Sequence, residues 1–78
     1  MSMTSTSTES VTRGRQHVRS LSDAAVLAAA RNTNSRAHAL IMDYMGPGTN
    51  PNWVTGECAE EAYRRDLIGE NEFDCLMD

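Results

Sequence analysis

Apolar residues recur with helical spacing from Leu21 to the end of the chain, and the longest run is Asp23–Met45. At 100° per residue, Val26, Leu27, Ala30, Ala37, Ile41, Tyr44 and Met45 fall on one arc, with Asn32, Ser35, Arg36 and Asp43 on the other. The pattern predicts an alanine-rich helix of about six turns. Ser20 or Ser22 can cap it, Asp23 suits its first turn, and Ser20-Leu21-Ser22-Asp23 approximates a capping box. Gly46 and Pro47 form the stop. Asn32-Thr33-Asn34-Ser35 is a row of poor helix formers inside this run. Either the helix continues and Asn34, on the apolar arc, makes a register-fixing hydrogen bond, or it breaks into two. The apolar phase agrees on both sides, which favours one kinked helix.

The turn-rich segment GPGTNPN, residues 46–52, is long enough to reverse the chain. Trp53 follows, with two readings: an aromatic anchor for a partner, or the largest core residue packed over the helix junction. A second helix is predicted over Thr55–Ile68, capped by Thr55 or Asn52, with Cys58, Ala59, Ala62, Tyr63 and Leu67 as its apolar positions. Glu60 and Glu61 each precede an arginine, Arg64 and Arg65, by four residues, the favourable order for helix-surface pairs. A short third helix is predicted over Gly69–Asp78, with Phe73, Leu76 and Met77 on one face and Glu70, Asp74 and Asp78 as an acidic row beside it. Met1–Ser10 is almost entirely serine and threonine, and 11–20 adds Arg13, Arg15 and Arg19 around Gly14. Such a stretch buries little and reads as a flexible tail. The expectation is all-α: a small bundle of one long helix and two shorter ones, with residues 1–20 as a disordered tail and 21–78 as a single helical domain.

Charge changes this picture. The net of −4 divides into +2 over residues 1–45 and −6 over residues 46–78, and all seven basic residues are arginine. The acidic half is therefore the candidate contact surface, and Trp53, Glu57, Glu60, Glu61, Asp66, Glu70, Asp74 and Asp78 are its candidate partner-binding residues. Rows of carboxylates present phosphate-like charge to a basic protein surface. A competing reading uses the arginines of residues 11–20 as a phosphate clamp on nucleic acid, but a helix bearing Glu57, Glu60 and Glu61 repels phosphate. A third reading is a structural or adaptor subunit. It would pair as a homodimer through the Ala24–Ala30 half, where small side chains let a second helix approach.

Candidate chemistry is sparse. His17, His38, Cys58 and Cys75 make up the inventory of a zinc site, but 16 to 20 residues intervene between successive members, whereas a finger supplies its ligands as close pairs. His38 sits at the edge of the apolar arc and reads as a boundary residue. The two cysteines read as packing thiols, and the glycines lack phosphate-loop spacing. No enzymatic role, metal or cofactor is expected. No apolar run reaches the length of a membrane span, and the expected compartment is the reducing cytoplasm of a bacterial host cell.

Two resemblances add expectations. Asp66-Leu67-Ile68-Gly69-Glu70-Asn71-Glu72-Phe73 resembles the helix–turn–helix ending of short C-terminal oligomerisation modules of bacterial and phage proteins, which implies a packing unit. In size, acidic balance, helical character and lack of a catalytic motif, the whole chain is similar to small phage-encoded anti-defence proteins, of which anti-CRISPR proteins are the best-known class. That resemblance implies an inhibitor that binds a bacterial CRISPR effector and blocks its recognition or cleavage of DNA.

Overall fold

A computed structural model describes residues 12–77 of the chain. Among them are five helices and no strand: α1 (residues 12–20), α2 (Asp23–Arg31), α3 (Arg36–Met45), α4 (Pro51–Arg64) and α5 (Glu70–Met77). Residues 1–11 of the expected tail and Asp78 lie outside the described residues.

The expected long helix is two helices. Asn32 ends α2 with extended backbone, and its side-chain oxygen accepts from the Asn34 amide at 2.9 Å. Ser35 then caps α3, its hydroxyl accepting from the His38 amide at 3.2 Å. The polar row breaks the helix because its side chains offer the backbone local partners in place of the i−4 carbonyl. Asn34 is exposed and fixes no register in the core. Both halves still bury the shared arc, Val26, Ala29 and Ala30 from α2 and Ile41 from α3. Of the other signals, Ser22 caps α2 through the Ala25 amide and Gly46 ends α3 at φ +95° and ψ 178°, a conformation reserved for glycine. The capping box from Ser20 does not form: Ser20 ends α1 and its hydroxyl donates to the His17 carbonyl at 2.6 Å.

The second helix begins and ends earlier than expected. Asn50 is its cap, accepting from the Asn52 amide at 2.9 Å, and Pro51 occupies the first turn, where its missing N–H costs nothing. Trp53 is thus inside α4. The helix closes with the Leu67 amide donating to the Ala62 carbonyl and the Asp66 amide to the Tyr63 carbonyl, the two bonds of a Schellman turn. Asp66 holds the left-handed position at φ +63°, a place glycine or asparagine usually takes.

The largest departure is α1. Part of the expected tail, residues 12–20, is a docked helix with Gly14 and Val18 buried. A Cβ on Gly14 would come within 2.5 Å of Met45 Sδ and 3.0 Å of Trp53 Cη2, so glycine is what lets α1 approach α3 and α4. Val18 joins Ala29, Ala30, Ile41, Val54, Cys58 and Ala59 in the main core. A second cluster of Val26, Ala62 and Ile68 continues it, and Leu21, Phe73 and Leu76 pack against both. The α2–α4 contact is the most extensive; α3 lies on both of these helices and α5 lies along α4.

Candidate interaction surface

The acidic residues divide into two groups once the helices dock. Glu57, Glu61 and Glu72 are tied into the fold. Arg15 Nε donates to Glu57 at 3.0 Å, joining α1 to α4. Arg31 forks onto Glu72 with bonds of 2.7 and 3.0 Å, joining α2 to α5. Glu61 is only 5% exposed, and it accepts from Arg64 and from Arg65, each at 2.6 Å. The expected Arg64 partner, Glu60, is replaced by Glu61, three residues away and on the buried side. Arg65 continues through the interior of the junction, with Nη1 donating to Asp23 at 2.9 Å and to the Leu21 carbonyl at 3.0 Å, and Nη2 donating to the Arg19 carbonyl at 2.9 Å. One guanidinium thereby binds the last turn of α1, the first turn of α2 and the end of α4. A planar fork with five donors suits this task.

These pairings set the titration of the groups. Burial pushes the Glu61 carboxyl up, but the hydrogen bonds and charges of Arg64 and Arg65 together outweigh it and hold the group below its ordinary value. The hydrogen bond from Arg31 does the same for Glu72. Of the partner-binding candidates, Glu57 and Glu61 therefore sit in ion pairs within the fold, which a partner would have to break to reach them. Trp53 is half-buried against the main core. The sequence contains no signal for the long-range pairs, because the residues involved are 41 to 46 positions apart.

The second group faces water. Glu60, Asp66, Glu70 and Asp74 are exposed and form no ion pair among the described residues. Glu60 opens onto a groove shared with Arg15, Arg19 and Arg64, where charge is balanced. Asp66, Glu70 and Asp74 run from the α4–α5 turn along α5. Beside them, Tyr63 stacks on Phe73 with ring centroids 4.5 Å apart, and Tyr63 remains 41% exposed. α5 buries none of its residues completely, and its first helical amide bond runs from Phe73 to the Gly69 carbonyl. Asp66, Glu70 and Asp74 are thus left exposed at the α4–α5 end, where Tyr63, an aromatic that the periodicity assigned to the core, is also partly exposed.

His38 differs from its reading as a boundary residue. It is 2% exposed, and its Nε2 lies 3.1 Å from Thr55 Oγ1 and 3.3 Å from the Pro51 carbonyl. The ring pins α3 to the first turn of α4, and Thr55 Oγ1 itself donates to the Pro51 carbonyl at 3.2 Å. A groove of about 570 Å³ opens beside it, lined by Thr33, Met42, Asp43 and the Gly46–Gly48 turn. His17 is elsewhere, stacked on Tyr44 at 4.2 Å. Among the described residues no three histidine, cysteine or acidic side chains converge as metal ligands would, and no helix is long and apolar enough to cross a membrane.

Both cysteines are free, Cys58 buried and Cys75 exposed. Burial, then the charges of Glu57 and Glu61, pushes the Cys58 thiol up to about 12. Since the thiolate is the reactive form, Cys58 is inert in the folded protein. A disulfide reagent at pH 8 is expected to modify Cys75 at once and Cys58 only after denaturant is added. Equal rates at both thiols without denaturant would contradict this packing.

Comparison of the chain with protein-family models, with curated proteins and with solved structures gave no match.

Proposed function

We propose that this protein is a small protein-binding inhibitor that uses the α4–α5 end to occupy a basic, nucleic-acid-holding surface of a larger bacterial complex, in the manner of anti-CRISPR proteins. The observation that carries this reading is the sorting of its carboxylates. The fold consumes Glu57, Glu61 and Glu72 internally, yet leaves Asp66, Glu70 and Asp74 unpaired among the described residues, beside the exposed face of Tyr63. Glu70 lies in the first turn of α5, where a negative charge suits the helix N-terminus. Asp66 in the turn before it and Asp74 further along have no cation paired with them among the described residues, so an external cation is the partner that would make use of them. An aromatic ring at the edge of such a patch adds a surface on which a guanidinium stacks. Of the arginine-arm alternative, Arg15 is committed to Glu57, while Arg13 and Arg19 are exposed and form no ion pair among the described residues.

The test is affinity capture from bacterial lysates with the natural chain and the Glu70→Lys/Asp74→Lys variant in parallel, quantified by mass spectrometry. A nucleic-acid-binding complex enriched by the natural chain is expected, with at least roughly tenfold less on the variant and less at high salt. The two positions are exposed, so the helical circular dichroism signal should not change. Capture of no partner, or equal capture by both chains, would overturn the reading.

A further inference from the structure

The solvent side of α3 carries a pattern that the fold does not use. At 100° per residue, His38, Ile41 and Met45 face inward, while Arg36, Ala39, Leu40 and Asp43 share the opposite arc, with Tyr44 at its edge, turned out of the apolar arc that periodicity gave it. All five are exposed. Leu40, near the middle of that arc, is 55% exposed, and Tyr44 is 47% exposed. Arg36 and Asp43 form no ion pair among the described residues, although Arg15, Arg31, Arg64 and Arg65 all do. Seven residues separate the two charges, about 10 Å along the helix, too far for them to pair with each other.

We propose that this face is a two-fold interface with a second copy of the chain, in which α3 lies antiparallel on α3 of the other copy. The argument is charge complementarity under symmetry. A two-fold axis makes each contact occur twice, residue i on j and j on i. With the axis between Ala39 and Leu40, Arg36 of each copy falls opposite Asp43 of the other. Tyr44 of the second copy lies one residue further on, within reach of the same guanidinium. Ala39 lets the helices approach closely, and Leu40 from each side fills the centre. His17 stacks on Tyr44 at an interplanar angle of 11°, so one face of that ring is already supported and held for contact. A groove of about 380 Å³ extends the apolar surface toward α1 and α2 through Leu21, Ala25 and Ala37. The occupant is a second copy because the face holds both members of the charge pair, at positions that the axis exchanges. The interface lies on a different helix from the α4–α5 surface and does not depend on it.

A ten-residue helix spans about 15 Å, so the contact is smaller than a standard interface, and association in the range of roughly 10⁻⁴ M is expected. Sedimentation velocity of the full chain from about 10 μM to about 1 mM tests this. The natural chain should shift from monomer to dimer across that range. Leu40→Glu should remain monomeric throughout with an unchanged helical signal. Arg36→Asp alone and Asp43→Arg alone should each weaken self-association at least about tenfold. Mixed in equal amounts, these two variants should pair with each other, and the double exchange Arg36→Asp/Asp43→Arg should dimerise as the natural chain does. A natural chain that stays monomeric at the highest concentration would overturn the proposal. So would a dimer that survives Leu40→Glu, or single-exchange variants that fail to pair when mixed.

Discussion

Ile41→Ala is expected to lower the unfolding free energy by about 4 kcal/mol, the upper part of the range for truncating a buried isoleucine. Ile41 is fully buried and heads the largest side chains in the interior. Its neighbours in the main core include Ala29, Ala30 and Ala59, whose short side chains cannot move into the space that the truncation leaves. The site therefore collapses poorly, and the cavity cost adds nearly in full to the lost transfer energy. A domain of this size has a total stability of about 4–12 kcal/mol, so the loss removes from about a third to all of it. Urea denaturation followed by circular dichroism checks the value, with Ile41→Val as a milder companion costing about 1 kcal/mol. A loss under about 1 kcal/mol for the alanine variant would mean that α3 does not pack on the core through Ile41.

Arg65→Ala is the second large effect, expected at about 2–4 kcal/mol. Removing the guanidinium leaves Glu61 with Arg64 as its one remaining cation, and strips the Arg19 and Leu21 carbonyls of their side-chain donor. The loss should be felt first in α1, whose last turn Arg65 binds. Amide exchange over residues 12–20 should accelerate more than exchange in α4. Arg65→Lys should recover little, because an ammonium cannot reproduce the fork. The acid side supplies an independent check. Glu61 titrates below its ordinary value of 4.5 in the folded protein, so its contribution is fully present above that value and is lost as pH falls through the lowered folded value. Without Arg65 the shift shrinks, and the variant should lose less stability than the natural chain on acidification. Unchanged exchange in α1, together with full rescue by lysine, would show that Arg65 is not the junction.

The inhibitor reading and the α3 pairing use different surfaces, and this separation has a physical basis. α5 presents like charges that find no partner of their own kind. α3 presents opposite charges at positions that a two-fold axis exchanges. In the proposed readings, the first arrangement suits a basic foreign surface and the second suits another copy of the chain.

Much of the local structure was legible because its causes lie within a few residues. Ser22 and Gly46 act on neighbouring amides and backbone angles, and the 3.6-residue period marks Val26, Ala30 and Ile41 for burial wherever the helices later dock. The break at Asn32–Ser35 was visible as a run of poor helix formers. Its outcome turned on whether those side chains would bond their own backbone, and agreement of phase across the run carries no information about that. The end of α4 shows a similar limit, since Asp66 takes a left-handed position that its residue type only weakly announces.

The sequence by itself determined that the chain is helical, where α2 starts, where α3 stops and about where α5 starts, and that its C-terminal half is acidic. Tertiary structure alone decided what the charges do and whether α1 exists as a docked element. Residues 12–20 hold little apolar surface. They are ordered by the space at Gly14, the burial of Val18 and bonds to Glu57 and Arg65, more than 40 positions away. Capping and periodicity are properties of neighbours along the chain. Ion pairing and close approach are properties of neighbours in space, which docking of the helices creates. The long apolar run Asp23–Met45 therefore became two helices, one face packing the core and the solvent side of α3 left open for a second copy.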